Sequence, residues 1–194
     1  MVTQAERRAE TIAAILVAAR NLFGSQGFEK TSIDEIAAKA GVAKGAVYHH
    51  FASKEEIFAR VLDEVQRSIA TAPVPKSLLK LRDPIAQATA AVLRYLTDAT
   101  QPGVKQILLI DGPAVLGWAK WREIDDHYFA AGARVAMGRL LGSKASASQI
   151  DAATHLLLGA VMEAALVCAT AKDPKKTARE LSAALGRMLE GLLK

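Results

Sequence analysis

Cysteine occurs once, at position 168, so no internal disulfide can form and a reducing cytoplasm suits the chain. The thiol lies in an apolar stretch and reads as a small buried hydrophobe. Aromatic residues make up only 5% of a sequence that is 51% hydrophobic; Ala and Leu supply the difference, which favours helices packed closely together. A secretory leader is absent from the reading, because MVTQAERRAETIAAILVAA is charged where an apolar core belongs. The most apolar run, residues 156–171, is interrupted by Glu163 and falls short of the roughly 20 residues a spanning helix needs, so no membrane partner is expected.

Catalytic patterns are equally scarce. There is no Gly-x-Ser-x-Gly for acyl transfer. A di-iron carboxylate bundle needs paired Glu-x-x-His, whereas Glu123 and His127, like Asp151 and His155, are four apart with no second matching set. GSQGFEKTS has no Gly before Lys30 and no strand leading in, so it is not a phosphate loop. His49 and His50 are neighbours, diverge by about 100° on a helix, and lack a Cys or carboxylate to complete a metal set. No catalytic residue, metal or cofactor is assigned, and the chain is expected not to be an enzyme.

What is present is a patterned stretch at residues 31–54, TSIDEIAAKAGVAKGAVYHHFASK. Ser32 and Glu35 form a capping box, Ile33, Ile36, Ala37 and Ala40 recur at helical spacing, and Gly41 supplies the left-handed stop. A second short helix resumes near Ala43 and ends near His50, which gives a helix-turn-helix. Val42, Val47 and Phe51 form its buried side. Its other side carries Lys44, Gly45, Tyr48 and His49, a cation, a bare backbone and an aromatic hydroxyl suited to a major groove. The net charge of +5 does not lie in this region: residues 1–70 hold nine Lys or Arg and nine Asp or Glu. A DNA footprint must therefore come from charge segregation, with Lys44, Lys54 and Arg7 or Arg8 toward the duplex.

The ordered string Thr31, Ile36, Ala37, Ala40, Gly41, Val42, Lys44, Gly45, Tyr48, His49, Phe51, Ser53, Lys54 and Glu55 resembles the TetR family of bacterial transcriptional regulators. The resemblance implies an all-α homodimer of about nine helices per chain. A three-helix DNA-binding head at residues 1–50 would precede a larger helical ligand-binding and dimerisation domain at residues 51–194. It makes Thr31, Tyr48, His49 and Lys54 contacts to the DNA backbone and places Lys44 near base edges. Ala43 departs from the family, which often has a hydroxyl there.

The flanking segments read as helices. Thr3 and Glu6 cap a first helix of roughly 20 residues, with Gly24, Gly27 and Phe28 ending it. Ser53 and Glu56 cap the fourth, and Asp83 with Pro84 opens a helix to about residue 97. Gln101 and Pro102 open the next, which Gly112 and Pro113 must distort or end. Residues 118–141 form one helix, Ser146 and Gln149 cap another, and Asp173 with Pro174 starts the last. That last helix carries Leu181, Leu185, Met188, Leu189, Leu192 and Leu193.

Candidate pocket residues are Tyr95, Trp118, Trp121, Asp125, Tyr128, Phe129, His155 and Met162, with His127 beside them. Aromatics with a few polar anchors suit a small apolar or amphipathic effector. The two C-terminal helices expose more apolar surface than a monomer conveniently covers, and the resemblance implies that they pair with a second copy. Taken together the reading is a ligand-responsive dimeric repressor that binds double-stranded operator DNA in the cytoplasm. A helical-bundle enzyme, or an interaction module without DNA affinity, is the alternative.

Overall fold

The computed structural model describes Thr3–Gly191 (the side chain of Leu79 excepted), so Leu192 and Leu193 of the expected C-terminal stripe lie outside the described residues. Among the described residues all regular structure is helical. Helix α1 (Gln4–Gln26) begins where the Thr3 hydroxyl accepts the Glu6 amide and the Glu6 side chain accepts the Thr3 amide. It passes straight through Gly24 and stops at Gly27, whose φ of 82° is open chiefly to glycine. Gly24 therefore does not end the helix as the sequence suggests. Its missing side chain lets α7 (Pro102–Lys105) cross closely, since a Cβ there would lie 3.1 Å from the Gly103 Cα.

Helix α2 (Ile33–Ala40) has the Ser32–Glu35 capping box and stops at Gly41, φ 70°. The Gly41 and Val42 amides then donate to the Ala38 and Ala37 carbonyls, and α3 (Lys44–His50) follows after three residues. At α3 the cap is bare: Ala43 offers no side-chain acceptor. Val47 and Phe51 are buried as expected, and Val42 is half-buried. Helix α4 (Lys54–Thr71) starts with the Ser53 hydroxyl accepting the Glu56 amide. Its Phe58 meets Phe23 and Phe28 in an aromatic trio with ring centroids 5.2–5.7 Å apart. Such pairs add about 0.5–1.5 kcal/mol each beyond the area they bury.

The chain divides into two compact units, residues 1–66 with 102–121, and residues 67–101 with 122–194. The first thus extends well past residue 50. It takes in α7, a π-helical turn (Gln106–Asp111) and α8 (Gly112–Leu116). The distortion expected of Gly112 and Pro113 takes this form: Pro113 has no N–H for the Leu109 carbonyl, so the ladder widens just before it. The π turn brings the Asp111 carboxylate to the Phe28 amide (2.9 Å) and to the Gln106 side-chain amide (3.0 Å). Beside it the Trp121 indole is fully buried and donates to the Leu108 carbonyl at 2.8 Å.

The second unit holds α5 (Lys76–Leu79), α6 (Pro84–Ala99), most of α9 (Trp118–Leu141), α10 (Ala147–Thr170) and α11 (Pro174–Gly191). Asp83 caps α6 through the Ile85 and Ala86 amides, Ser146 and Gln149 cap α10 reciprocally, and Asp173 receives the Lys176 amide at the start of α11. Cys168 is buried, and that burial pushes its thiol pKa up. Helix α10 is longer than the apolar run read from the sequence: it spans 24 residues and contains an 18-residue window of mean hydropathy 1.7, long and apolar enough by length and composition to cross a membrane. Two exposed carboxylates, Asp151 and Glu163, interrupt it, and Asp151 pairs with Arg134 at 2.6 Å. Such charges are expensive facing lipid.

Candidate nucleic-acid interface and ligand cavity

Helix α3 is short because nothing caps it strongly, and its orientation is set by Val47 and Phe51 pressing inward. The opposite face is consequently fixed. Lys44 and Tyr48, one turn apart, are each 52% exposed, Lys44 by its side chain. Between them lies Gly45, where an added Cβ would meet nothing within 4 Å. His49 is exposed beside them. The Lys44 ammonium bonds the Asp34 carboxylate of α2 at 2.9 Å, and that bond raises its pKa. The face is thus one ordered cation, an open backbone, a phenol and an imidazole.

Two residues expected at this surface have other partners. Thr31 is 1% exposed, and its hydroxyl donates to the Gly27 carbonyl at 2.8 Å. Lys54 places its ammonium 2.9 Å from both the Phe28 and Thr31 carbonyls and 4.1 Å above the Phe28 ring. Both brace the loop between α1 and α2. Conversely, the end of α3 forms a hollow of about 520 Å³ with the start of α1, lined by Arg7, Arg8, His49 and His50. The His50 Nδ1 is buried there without a hydrogen-bond partner among the described residues. Burial, with the His49 and Arg8 charges, holds its pKa below the ordinary value. The sequence signals Arg7 and Arg8 only as cations; that they share a hollow with His50 is a property of the packing.

In the second unit, α6, α9 and α10, with Ala70 and Val74, line a half-open cavity of about 480 Å³. Of the eight expected pocket residues, Tyr95, Asp125, Tyr128, Phe129 and Met162 line it. The other three do not. Trp118 and Trp121 belong to the first unit, where Trp121 is sealed in the core and Trp118 is 56% exposed. His155 is exposed on α10, away from the lining, and His127 is exposed on α9. The helical face shared by Trp118, Trp121, Asp125 and Phe129 is real, but α9 changes surroundings after its first turn. What the sequence reading missed are the small residues that leave the space, among them Ala88, Ala91, Gly132, Ala133 and Ala136. Their signal is the local density of Ala and Gly on α6 and α9.

The polar end of the cavity is specific. Asp125 is buried, and the Tyr95 hydroxyl donates to its Oδ1 at 3.4 Å. Tyr95 is packed edge-on against Phe129, 5.2 Å between ring centroids. Desolvation, then the neighbouring Asp125 charge, pushes the Tyr95 phenol pKa well above its ordinary value.

Comparison with known proteins accords with both halves. Residues 15–61 match the family profile described as bacterial regulatory proteins, tetR family, and residues 85–192 match a tetracyclin repressor-like C-terminal domain. The A-factor receptor protein of Streptomyces griseus is 36% identical over 118 residues, 59% of this chain and 41% of that protein. The HTH-type transcriptional repressor BepR of Brucella suis is 35% identical over 113 residues, 55% of this chain and 52% of that protein. The chain spans about half the length of these curated relatives. A crystal structure of a TetR-family transcriptional regulator from Pectobacterium atrosepticum superposes with a TM-score of 0.78 at 28% identity, covering 98% of this chain and 97% of the other. A helix-turn-helix ahead of a helical unit with a cavity, matched by profiles over both parts, shows that the chain belongs to the TetR family of bacterial regulators.

Proposed function

We propose that this chain is a dimeric, ligand-responsive repressor that binds operator DNA through α3 and is released when a small molecule occupies the cavity around Tyr95 and Asp125. The observation that carries the DNA reading is the outer face of α3: Lys44 and Tyr48 stand exposed one turn apart with an unobstructed backbone at Gly45. Lys44 reaches base edges, Tyr48 and His49 take phosphates, and Arg7 and Arg8 extend the basic edge. The name of the Brucella relative, a transcriptional repressor, supports repression. Such a protein works in the cytoplasm, where its operator is. The functional division proposed is a DNA-binding domain over residues 1–50 and a ligand-binding and dimerisation domain over residues 51–194.

A gel shift on the DNA upstream of the chain's own gene tests this. Lys44→Ala removes a cation and unmasks the Asp34 carboxylate, and Tyr48→Phe removes a phosphate donor. Each is expected to weaken binding roughly tenfold or more. Retention of full affinity by both variants would count decisively against α3 as the reading helix.

Pairing of α10 and α11 with a second copy is supported by Leu156 and Met188, 76% and 66% exposed around a hollow of about 170 Å³ that also involves Met137, Ala160 and Leu185. Two apolar helices from each protomer make a four-helix interface with isologous contacts. Two heads then meet successive major grooves, roughly 34–36 Å apart, and ligand favours a different spacing. Leu156→Lys places a charge at the centre of that interface and is expected to shift the chain to monomer in sedimentation velocity at micromolar concentration. A Leu156→Lys protein that sediments as wild type removes this face from consideration.

A further inference from the structure

The hollow of about 520 Å³ between the start of α1 and the end of α3 carries positive charge without a counter-charge. Its lining includes Gln4, Arg7, Arg8 and Thr11 from α1 and His49 and His50 from α3, and no carboxylate. Of the acids beside them on α1, Glu6 is turned to the Thr3 amide at 2.6 Å, and Glu10 lies outside the lining. Lys44 and Lys54 of the same head have partners, in the Asp34 carboxylate and in the carbonyls of Phe28 and Thr31. Among the described residues the Arg7 and Arg8 guanidiniums have neither an ion pair nor a hydrogen bond.

His50 supplies the α3 side of the hollow. It is half-buried, with its ring 5.0 Å from that of His49 between centroids, and its Nδ1 is buried without a partner among the described residues. An imidazolium would carry a proton on that nitrogen with nothing to receive it, beside the Arg8 charge, so the ring stays neutral and Nε2 is the nitrogen left to meet a ligand. The Thr11 hydroxyl already donates to the Arg7 carbonyl at 2.9 Å, so it offers a guest only lone pairs. The donors are therefore the two guanidiniums, the imidazole and the Gln4 amide.

Donors arriving from two helices select the shape of the guest. One guanidinium fork satisfies a planar carboxylate, whereas a tetrahedral phosphate gives two oxygens to a guanidinium and keeps another for a donor on a different element. Neighbouring cations also repel, and an anion between them relieves that repulsion. We propose that this hollow is a phosphate seat, with Arg8 matching the charge, His50 donating to a further oxygen, and Arg7 and Gln4 closing the rim. The group comes either from the backbone of a duplex or from free phosphate. Only the first source rests on the reading of α3 as the DNA-binding helix; the second makes the seat a place where a small phosphate-bearing anion competes with DNA.

Histidine ring NMR of the full-length protein reads the seat directly. His49, His127 and His155 are exposed, so Gln at each in turn assigns its signals and leaves those of His50. Two probes are titrated at constant ionic strength with sodium chloride as the control: sodium phosphate, and a duplex of about 20 base pairs of arbitrary sequence, since backbone contacts are independent of sequence. The His50 signals are expected to shift saturably with at least one probe and not with chloride. Arg8→Gln, at an exposed position, is expected to weaken that response about tenfold.

Duplex affinity measured between about 50 and 200 mM salt separates the two sources. If the backbone supplies the phosphate, Arg8→Gln lowers the slope of log affinity against log salt by about one. If free phosphate moves His50 while that slope is unchanged, the seat stands as a free-anion site and its part in DNA contact falls. His50 signals that answer neither probe, or answer chloride equally, overturn the inference, as does a response that Arg8→Gln leaves intact. A protein that binds no duplex removes the reading of α3, and the phosphate titration then decides the seat on its own.

Discussion

Glutamate in place of Gly45 is expected to weaken operator binding by about a hundredfold or more while leaving thermal stability equal to or slightly above wild type. The two halves of this result have separate origins. Within the protein, a Cβ at position 45 meets nothing within 4 Å, so no internal packing opposes the new side chain. Helical glycine is itself unfavourable by roughly 0.5–1 kcal/mol relative to alanine, and a carboxylate in the first turn of α3 faces the positive end of the helix dipole. Against DNA, the same side chain interposes bulk and a negative charge between Lys44 and Tyr48, where phosphates must approach. Juxtaposed like charges cost several kcal/mol, and each 1.4 kcal/mol is tenfold in affinity. Fluorescence anisotropy with labelled upstream DNA, paired with calorimetric melting, measures both. Unchanged affinity in a stable Gly45→Glu protein would mean that the groove is read by some other element.

The second large effect falls on stability. Trp121→Ala is expected to cost about 3–5 kcal/mol, a substantial part of the roughly 5–15 kcal/mol that holds a typical domain together. The indole is fully buried, and its N–H satisfies the Leu108 carbonyl within the π turn. Trp121→Phe separates the contributions. It keeps most of the ring but leaves that carbonyl unpaired, for about 1–3 kcal/mol. Gly112→Ala attacks the same contact from the other side, because its Cβ would lie 2.7 Å from the Trp121 Cδ1 and 2.9 Å from the Leu62 Cδ1. Overpacking of this kind costs about 1–3 kcal/mol. Urea denaturation reads all three, and a Trp121→Ala midpoint within error of wild type would show that the indole contributes nothing the neighbours cannot replace.

Helix ends were the most legible part of the sequence, because caps are written within four residues. Thr3 with Glu6, Ser32 with Glu35 and Ser146 with Gln149 each form the reciprocal bonds their spacing implies, and Gly41 adopts the left-handed conformation that separates α2 from α3. The outer face of α3 was legible for a related reason: once Val47 and Phe51 turn inward, the positions of Lys44 and Tyr48 follow from helical geometry. The bonds that Thr31 and Lys54 make within the protein were not legible. Their partners are carbonyls of Gly27, Phe28 and Thr31, and a backbone acceptor leaves no mark in the residue code.

The cavity divides along the same line. Tyr95, Asp125 and Met162 announce themselves by type, whereas the volume comes from residues that are merely small, and from helices far apart in sequence. Trp118 and Trp121 misled because period alone says which positions share a side of a helix. It does not say where along the helix the surroundings change.

Pro113 carries a consequence of its own. An ordinary widened turn in a helix can heal by shifting every downstream hydrogen bond back by one residue, but an imino acid has no proton to offer the Leu109 carbonyl, so here the slip is locked in covalently. Chemistry at one ring nitrogen thereby decides which residue of the widened turn looks toward α1. The residue so delivered is Asp111, whose carboxylate accepts the Phe28 amide.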